Sequence, residues 1–142
     1  MLNGPNLNLL GSREPALYGR TTLADIEARL GDVARELGVD VECEQHNGEG
    51  ELVTAVQRLA GRADGALVNA GAYSHSSLAI RDAFAAVGVP FVEVHLTNIY
   101  AREPERRHSM LAPAARAVVC GFGADGYELA LRGLVSALRP RA

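Results

Sequence analysis

The sequence predicts an α/β protein built on a five-stranded parallel sheet. Short apolar runs with strand-like patterns alternate with amphipathic helical patterns along nearly the whole chain. The chain has 142 residues, of which 48% are hydrophobic, so one domain with a substantial core accommodates it. Parallel neighbours need long crossover connections, and helices supply these on both faces of a sheet. We therefore expect three layers, with residues 1–142 forming a single domain.

The elements follow one another in a regular order. A very short strand over residues 1–3 leads into a loop rich in Gly, Asn and Pro. Thr22 and Asp25 form a capping pattern for the first long helix, which the apolar spacing extends to Gly38. The remaining predicted elements are a strand over 40–44, a helix over 49–62, a strand over 66–69, a helix over 77–87, a strand over 90–95, a strand over 117–120 and a helix over 125–138.

This alternation is typical of a flavodoxin-like three-layer sandwich. In such sheets ligands bind at the carboxyl ends of the strands, near the point where the strand order reverses. Polar side chains follow three of the predicted strands, so we expect them to meet at one edge. They are Asn6, Arg13 and Tyr18 after the first strand, Asn69, Tyr73 and His75 after the third, and Glu93, His95, Thr97 and Asn98 at the end of the fourth.

Composition excludes several classes of function. The net charge of −3 and the absence of a basic run argue against nucleic-acid binding. No apolar stretch approaches the roughly 18 residues of a membrane span, and no signal-peptide pattern is present, so we expect a cytoplasmic protein. All 14 basic residues are arginine, which excludes a lysine Schiff base and a P-loop lysine. Cys43 and Cys120 lack metal-ligand spacing, so we expect free thiols and no metal or cofactor.

Tyr18 is a candidate base on the opening loop. A tyrosine in water ionises near pH 10 and is therefore a poor base at neutral pH. A guanidinium within about 4 to 6 Å favours the tyrosinate, which gives a physical reason to pair Arg13 with Tyr18. The alternative is that Tyr18 is a loop aromatic that packs with Pro15 and Leu17 over the sheet.

Glu93 and His95 form a second candidate pair. Strand alternation places both side chains on one face, so Glu93 could orient His95 as an acid or base. The alternative is a Glu–His pair that merely closes the edge of the sheet. Asn6 and Asn69 could stabilise an oxyanion or hold a hydroxyl group, although Asn is also favoured in turns.

The segment 101–109 carries Arg102, Arg106 and Arg107 interleaved with two glutamates. An arginine fork there could hold a carboxylate or the hydroxyls of a polyol, whereas the alternative is a solvated network of ion pairs. From the residues alone we interpret the chain as a cofactor-free acid/base enzyme for a small polar substrate.

Three longer segments and a tetrapeptide add a family resemblance. They read LNGPNLNLLGSREPALYG at residues 2–19, NAGAYSHSSLAIRDA at 69–83, PFVEVHLTNIYARE at 90–103 and RRHS at 106–109. They closely resemble the signature segments of type II 3-dehydroquinate dehydratases, and the similarity continues through CGFGADGYELAL near the end. The resemblance implies a flavodoxin-like, cofactor-free homododecamer of four trimers. It also implies the anti elimination of water from 3-dehydroquinate in the shikimate and quinate pathways.

The resemblance implies a role for each catalytic candidate. Tyr18 is similar to the base that removes the proton next to the ketone, and Arg13 to the lid arginine that keeps this tyrosine ionised. Asn6 matches the residue that holds a water against the enolate oxygen. His95, oriented by Glu93, resembles the acid that protonates the departing hydroxyl.

The resemblance also implies a substrate-binding set. Asn69 would position the departing hydroxyl, while the backbone amides of Leu96 and Thr97 and the Thr97 hydroxyl would hold the substrate carboxylate. The other members are Arg106 and His75 at the ring hydroxyls, and Asp82, which would reach in from a neighbouring subunit of the trimer.

Four positions depart from the family pattern, and none of them removes a proposed catalytic group. Thr97 stands where serine is common, Gly48 and Tyr100 where histidine is common, and Glu105 where phenylalanine is common. A non-catalytic flavodoxin-like module for small-molecule binding or assembly is the alternative function. The intact set of Arg13, Tyr18 and His95 favours the enzyme.

Overall fold

The computed structural model describes residues 1–140 and contains a five-stranded parallel sheet. The strand order is β2-β1-β3-β4-β5, and every neighbouring pair is parallel. This is the flavodoxin-like order, so the predicted fold class is confirmed. The strands are β1 (Leu2–Asn3), β2 (Glu44–Gln45), β3 (Ala66–Asn69), β4 (Phe91–His95) and β5 (Ala117–Cys120).

Five helices connect and flank the strands. They are α1 (Pro15–Tyr18), α2 (Leu23–Leu37), α3 (Glu49–Gln57), α4 (Leu78–Val87) and α5 (Asp125–Leu138). The predicted cap of α2 is present: the Asp25 amide donates to Thr22 Oγ1 at 3.1 Å, and the Thr22 amide donates to Asp25 Oδ2 at 2.9 Å. Within residues 1–140 no helix is long and apolar enough to cross a membrane.

The helices cover the sheet in two layers, as the alternation of side chains requires. Leu67, Val92 and Val94 pack with the buried faces of α2 and α5. Their neighbours along the strands, including Val68 and Phe91, pack with α3 and α4 on the opposite face. Successive strand residues point to opposite faces, so the two apolar clusters sandwich the sheet.

Two predicted boundaries are wrong. The strand predicted over 40–44 is found at Glu44–Gln45, because β2 pairs only with β1, which supplies just two residues for the ladder. The helix predicted over 49–62 ends at Gln57, since 3-10 hydrogen bonds then tighten the chain towards Gly61, whose φ of 69° is left-handed. The single turn α1 was not predicted.

The sheet order brings three loops to one edge. β1, β3 and β4 are neighbours, so the segments that follow them leave the sheet side by side. The first two lie in close contact at Gly4, whose amide donates to the Asn69 carbonyl at 2.7 Å. A Cβ atom at Gly4 would lie 2.3 Å from the Ala70 carbonyl oxygen, so only glycine permits this approach.

Candidate active site

A pocket opens at the carboxyl edge of the sheet, where the sequence places it. Predicted residues from all three loops line it: Asn6, Arg13, Tyr18, Asn69, His75, His95, Leu96, Thr97 and Arg106. Glu93 lies behind His95 and is fully buried. Asp82 lies on α4, is exposed and does not line this pocket. The lining also includes Arg102, to which sequence reasoning gave no individual role.

The opening loop is tied to the end of β2. Asn6 adopts a left-handed φ of 68°, and its amide donates to Asn47 Oδ1 at 3.1 Å. Gln45 Nε2 donates to the same oxygen at 3.0 Å, while the Asn47 carbonyl accepts from the Tyr73 hydroxyl at 2.9 Å. Asn47 therefore connects the loops that follow β1, β2 and β3. The sequence carries no local signal for this connection.

Tyr18 is held at the end of the short helix α1. Pro15 begins the helix, and Gly19 ends it with a φ of 78°. Glu14, just before the helix, has a φ of 39°, which costs of order 1 kcal/mol for a residue other than glycine. The turn thus depends on a strained entry and a glycine exit.

Two arginines flank the Tyr18 side chain. Arg102 Nη1 donates to the Tyr18 hydroxyl at 2.9 Å. The guanidinium carbons of Arg13 and Arg102 lie 5.4 Å and 5.7 Å from the centre of the tyrosine ring. The expected proximity of Arg13 to Tyr18 is observed, but the arginine that contacts the phenol oxygen is Arg102. Both place positive charge where a phenolate would form.

The segment after β4 holds Arg102 and Arg106 in place. The Arg102 side chain is only 16% exposed, and its backbone carbonyl accepts from Arg107 Nε at 2.6 Å. Arg106 Nε donates to Glu103 Oε1 at 2.6 Å, while Arg106 also lines the pocket. Both interpretations of this segment therefore hold in part: its arginines form ion pairs with Glu103, and Arg102 and Arg106 also line the pocket.

His95 and Glu93 form a buried pair at the end of β4. His95 Nε2 lies 2.6 Å from Glu93 Oε1, and both side chains are almost completely shielded from solvent. The predicted contact is therefore present. Ser109 Oγ donates to the same carboxylate oxygen at 2.6 Å. Sequence reasoning assigned no role to Ser109.

His75 stacks on His95, with ring centres 5.9 Å apart. Its Nδ1 donates to the His108 carbonyl at 2.8 Å, which fixes the proton on that nitrogen. The pKa of His75 is lowered, and burial is the largest of the several causes. A neutral His75 leaves Nε2 as a hydrogen-bond acceptor.

Asn69 is oriented from below the pocket. Its Nδ2 donates to the Tyr127 hydroxyl at 2.9 Å, and that hydroxyl donates to Asn3 Oδ1 at 2.8 Å. The Gly71 amide donates to Asn69 Oδ1 at 3.2 Å. Burial raises the pKa of Tyr127, so this network contains a neutral phenol. The helical pattern identified Tyr127 only as a core residue.

Leu96 and Thr97 continue the chain beyond β4 into the pocket wall. Leu96 is buried, and its carbonyl accepts from the Gly123 amide at 2.9 Å. Among the described residues no group of three or more His, Cys, Asp or Glu side chains is arranged to hold a metal ion.

The fold and the pocket together define a class of protein. A phenol beside two arginines faces the same pocket as a buried histidine–glutamate pair, on a flavodoxin-like sheet. Titratable groups that converge in one pocket in this way are typical of an enzyme.

The chain belongs to the dehydroquinase class II family, whose model matches residues 1–135. A 3-dehydroquinate dehydratase of Gemmatimonas aurantiaca is 63% identical over 138 residues, covering 97% of this chain and 91% of that relative. One from a Synechococcus strain is 56% identical over 142 residues, covering 100% and 97% of the two chains. These matches confirm the resemblance, and the chain is a member of a family of hydro-lyases.

A solved structure agrees with the sequence comparison. The crystal structure of a type II dehydroquinase from Propionibacterium acnes superposes with a TM-score of 0.90 at 43% identity. The match covers 95% of this chain and 93% of that one. The fold and the family are thus supported by independent comparisons of coordinates and sequence.

Proposed function

We propose that this chain dehydrates 3-dehydroquinate to 3-dehydroshikimate through an enolate, without a cofactor, in the shikimate or quinate pathway. Residues 1–142 would form its single catalytic domain. The observation that carries the proposal is the 2.9 Å hydrogen bond from Arg102 to the Tyr18 hydroxyl, in the pocket that also contains His95. The names of the relatives supply the substrate.

The first step is the removal of the proton next to the ketone by Tyr18. A tyrosine in water is about a thousandth ionised at pH 7, a deficit of roughly 4 kcal/mol. The positive charges of Arg13 and Arg102 oppose this deficit by stabilising the tyrosinate. The electron pair of the broken C–H bond moves to the ketone oxygen, where a water held by Asn6 would stabilise the enolate.

The second step expels the hydroxyl group. The enolate electrons return to form the carbon–carbon double bond, and the hydroxyl leaves with a proton from His95. Glu93 occupies the side of the ring at Nε2, so Nδ1 is the nitrogen available to donate. Tyr18 ends protonated and His95 deprotonated, and exchange with solvent restores both.

Substrate binding would use the remaining predicted residues. The Leu96 and Thr97 amides and the Thr97 hydroxyl would hold the carboxylate, and Asn69 the departing hydroxyl. His75 and Arg106 would hold the ring hydroxyls. All five line the pocket, which supports these assignments.

Asp82 requires another subunit to take part. It is exposed on α4 and does not line the pocket of its own chain. It would enter a neighbouring pocket within a trimer, and four trimers would form a cytoplasmic homododecamer. The opening loop, with Arg13 and Tyr18, would close over the substrate and exclude water.

The test is to add 3-dehydroquinate to the purified protein and follow the ultraviolet absorbance of the conjugated enone product. Wild type should produce a rise in absorbance. Tyr18→Phe should bind the substrate but give no rise. Substrate binding by folded wild type with no rise would favour the non-catalytic binding module. Near-normal turnover by Tyr18→Phe would exclude the tyrosinate mechanism.

A further inference from the structure

Ser109 has no place in the mechanism above, although it contacts the buried histidine–glutamate pair. We infer that Ser109 is a positioning residue: its hydroxyl holds Glu93 Oε1 against Nε2 of His95 and thereby fixes the orientation of the histidine ring. This inference rests on the proposed function only for its consequence in catalysis, because the hydrogen-bond arrangement itself is independent of the substrate.

The contacts around Glu93 Oε1 are unusually concentrated. The oxygen lies 2.6 Å from His95 Nε2 and 2.6 Å from Ser109 Oγ. Glu93 is 0% exposed and Ser109 is 7% exposed, so solvent does not compete for these bonds. A carboxylate oxygen offers enough lone pairs to accept both.

The backbone determines the direction of the serine hydroxyl. Ser109 Oγ accepts from the Leu111 amide at 3.1 Å and from the Ala112 amide at 3.0 Å. A hydroxyl has one proton and two acceptor lone pairs, and these two amides occupy both lone pairs. The proton of Ser109 therefore points at Glu93 Oε1. Ser109 therefore donates a hydrogen bond to the carboxylate, and its oxygen has no lone pair left to accept one from Glu93.

The donor matters to Glu93 because the other oxygen of its carboxylate lacks a hydrogen bond. Among the described residues, Glu93 Oε2 has no hydrogen-bond partner although it is buried. A buried carboxylate is stable only when hydrogen-bond donors compensate for the water it has lost. Among the described residues, His95 and Ser109 supply those contacts to Glu93, both at Oε1.

The polypeptide fixes Ser109 on both sides in sequence. Arg106 lines the pocket, and Leu111 is fully buried in the core against α3 and α4. Between them the Met110 amide donates to the Ser74 carbonyl at 2.7 Å. The segment is thus held to the turn after β3, which carries His75.

Other charged groups surround the pair and contribute to any pH dependence. His75 stacks on His95 from the turn after β3, and Arg106 faces the same pocket from the segment after β4. Tyr18, Arg13 and Arg102 lie on the side of the opening loop. A substitution at Ser109 leaves all of these in place, so a change in the pH profile would report the lost hydroxyl.

The chain offers a matched control. Ser74 is also fully buried, but among the described residues its hydroxyl has no hydrogen-bond partner. Ser74→Ala and Ser109→Ala therefore remove the same group from similar surroundings, and only the second removes a donor to Glu93. Ser109→Thr keeps the hydroxyl and serves as the conservative variant.

The experiment measures kcat and KM for 3-dehydroquinate in these variants from about pH 5 to 9. Ser109→Ala should lower kcat about ten- to hundredfold with little change in KM, as is typical when a group that orients a functional side chain is lost. Its pH profile should also differ from that of Ser74→Ala, because only Ser109→Ala removes a hydrogen-bond donor from the oxygen that contacts His95. Ser109→Thr and Ser74→Ala should resemble wild type.

A second readout needs no substrate. In the proton NMR spectrum, the Nε2 proton of His95 should give a low-field resonance in wild type and in Ser74→Ala, and lose it in Ser109→Ala. If wild type fails to turn over 3-dehydroquinate, the proposed function fails, while this spectrum still tests Ser109. If Ser109→Ala does not fold, Ser109→Cys supplies a weak donor of similar size and should show a smaller effect in the same direction.

The inference would be overturned by Ser109→Ala having the kcat profile and the low-field resonance of Ser74→Ala. Equal effects of Ser109→Thr and Ser109→Ala would also overturn it, because only the alanine variant lacks the hydroxyl.

Discussion

The two halves of the pocket are built differently. Tyr18 lies on a single helical turn between a strained Glu14 and Gly19, and its hydroxyl contacts Arg102 from a distant part of the chain. Glu93 and His95 lie at the end of a central strand, buried and within 2.6 Å of each other. The proposed base thus lies on a short turn of the opening loop, while the proposed acid lies at the end of a central strand.

This difference fits what each group must do. An enzyme that admits a polar substrate and then excludes water needs one wall of its site to move. In the proposed mechanism His95 must present one defined nitrogen to the substrate, and its buried contact with Glu93 holds the ring in one orientation.

The largest effect is expected at the buried half. Glu93→Gln removes the charge beside His95 and leaves a neutral amide in the same volume. We expect kcat to fall by about a hundredfold or more, because His95 loses the carboxylate that orients its ring for proton transfer. Steady-state assays with 3-dehydroquinate check this, and circular dichroism controls for folding. A kcat within a factor of about two of wild type would show that the pair only closes the sheet edge.

The two arginines of the loop half should differ. Arg102→Ala should lower kcat more than Arg13→Ala, since only Arg102 donates to the Tyr18 hydroxyl. Both substitutions remove positive charge that favours the tyrosinate, so the acid limb of kcat should move to higher pH in each. The pH profiles of the two variants, measured in parallel, test this order. A larger shift of the acid limb in Arg13→Ala than in Arg102→Ala would assign the main role to Arg13.

A smaller effect is expected where the loop meets β2. Asn47→Ala removes the acceptor of the Asn6 amide, a loss of about 1 kcal/mol. We expect kcat/KM to fall about fivefold. Asn8→Ala is the control on the same loop, since Asn8 makes only a 3.4 Å contact with Gln45. Equal losses in both variants would contradict a specific role for Asn47.

The smallest effect concerns stability at low pH. Burial lowers the pKa of His75, so between its lowered and ordinary values the unfolded chain binds more protons there than the folded chain. Its contribution to stability is therefore lost as the pH falls below about 6.5 towards the lowered value. In His75→Asn the loss between pH 7 and 5, measured by urea unfolding, should be smaller than in wild type. An equal or larger loss would show that other groups dominate.

Local patterns predicted the fold and much of the candidate site. The two-residue period of a strand placed Glu93 and His95 together, and the order of elements brought the three loops to one edge. The loop alone indicated Tyr18 and Arg13. Family resemblance added identities for the binding residues, all of which line the pocket except Asp82.

The contacts that sequence reasoning missed are tertiary. Arg102 and Tyr18 are 84 positions apart, and several arginines compete for that role in the sequence. Asn47 and Ser109 form long-range hydrogen bonds that no local sequence pattern predicts. The predicted start of β2 is wrong for the same reason, since pairing with β1 determines where β2 begins. Pairing across the fold decided each of these points.

The proposed division between a base on the opening loop and an acid on β4 can be tested by isotope exchange. 3-Dehydroquinate is incubated in deuterated water with His95→Gln and with Tyr18→Phe, and deuterium next to the ketone is measured by proton NMR. We predict that His95→Gln exchanges this hydrogen without forming product, and that Tyr18→Phe does neither. Exchange in Tyr18→Phe, or its absence in a His95→Gln variant that binds the substrate, would contradict the account.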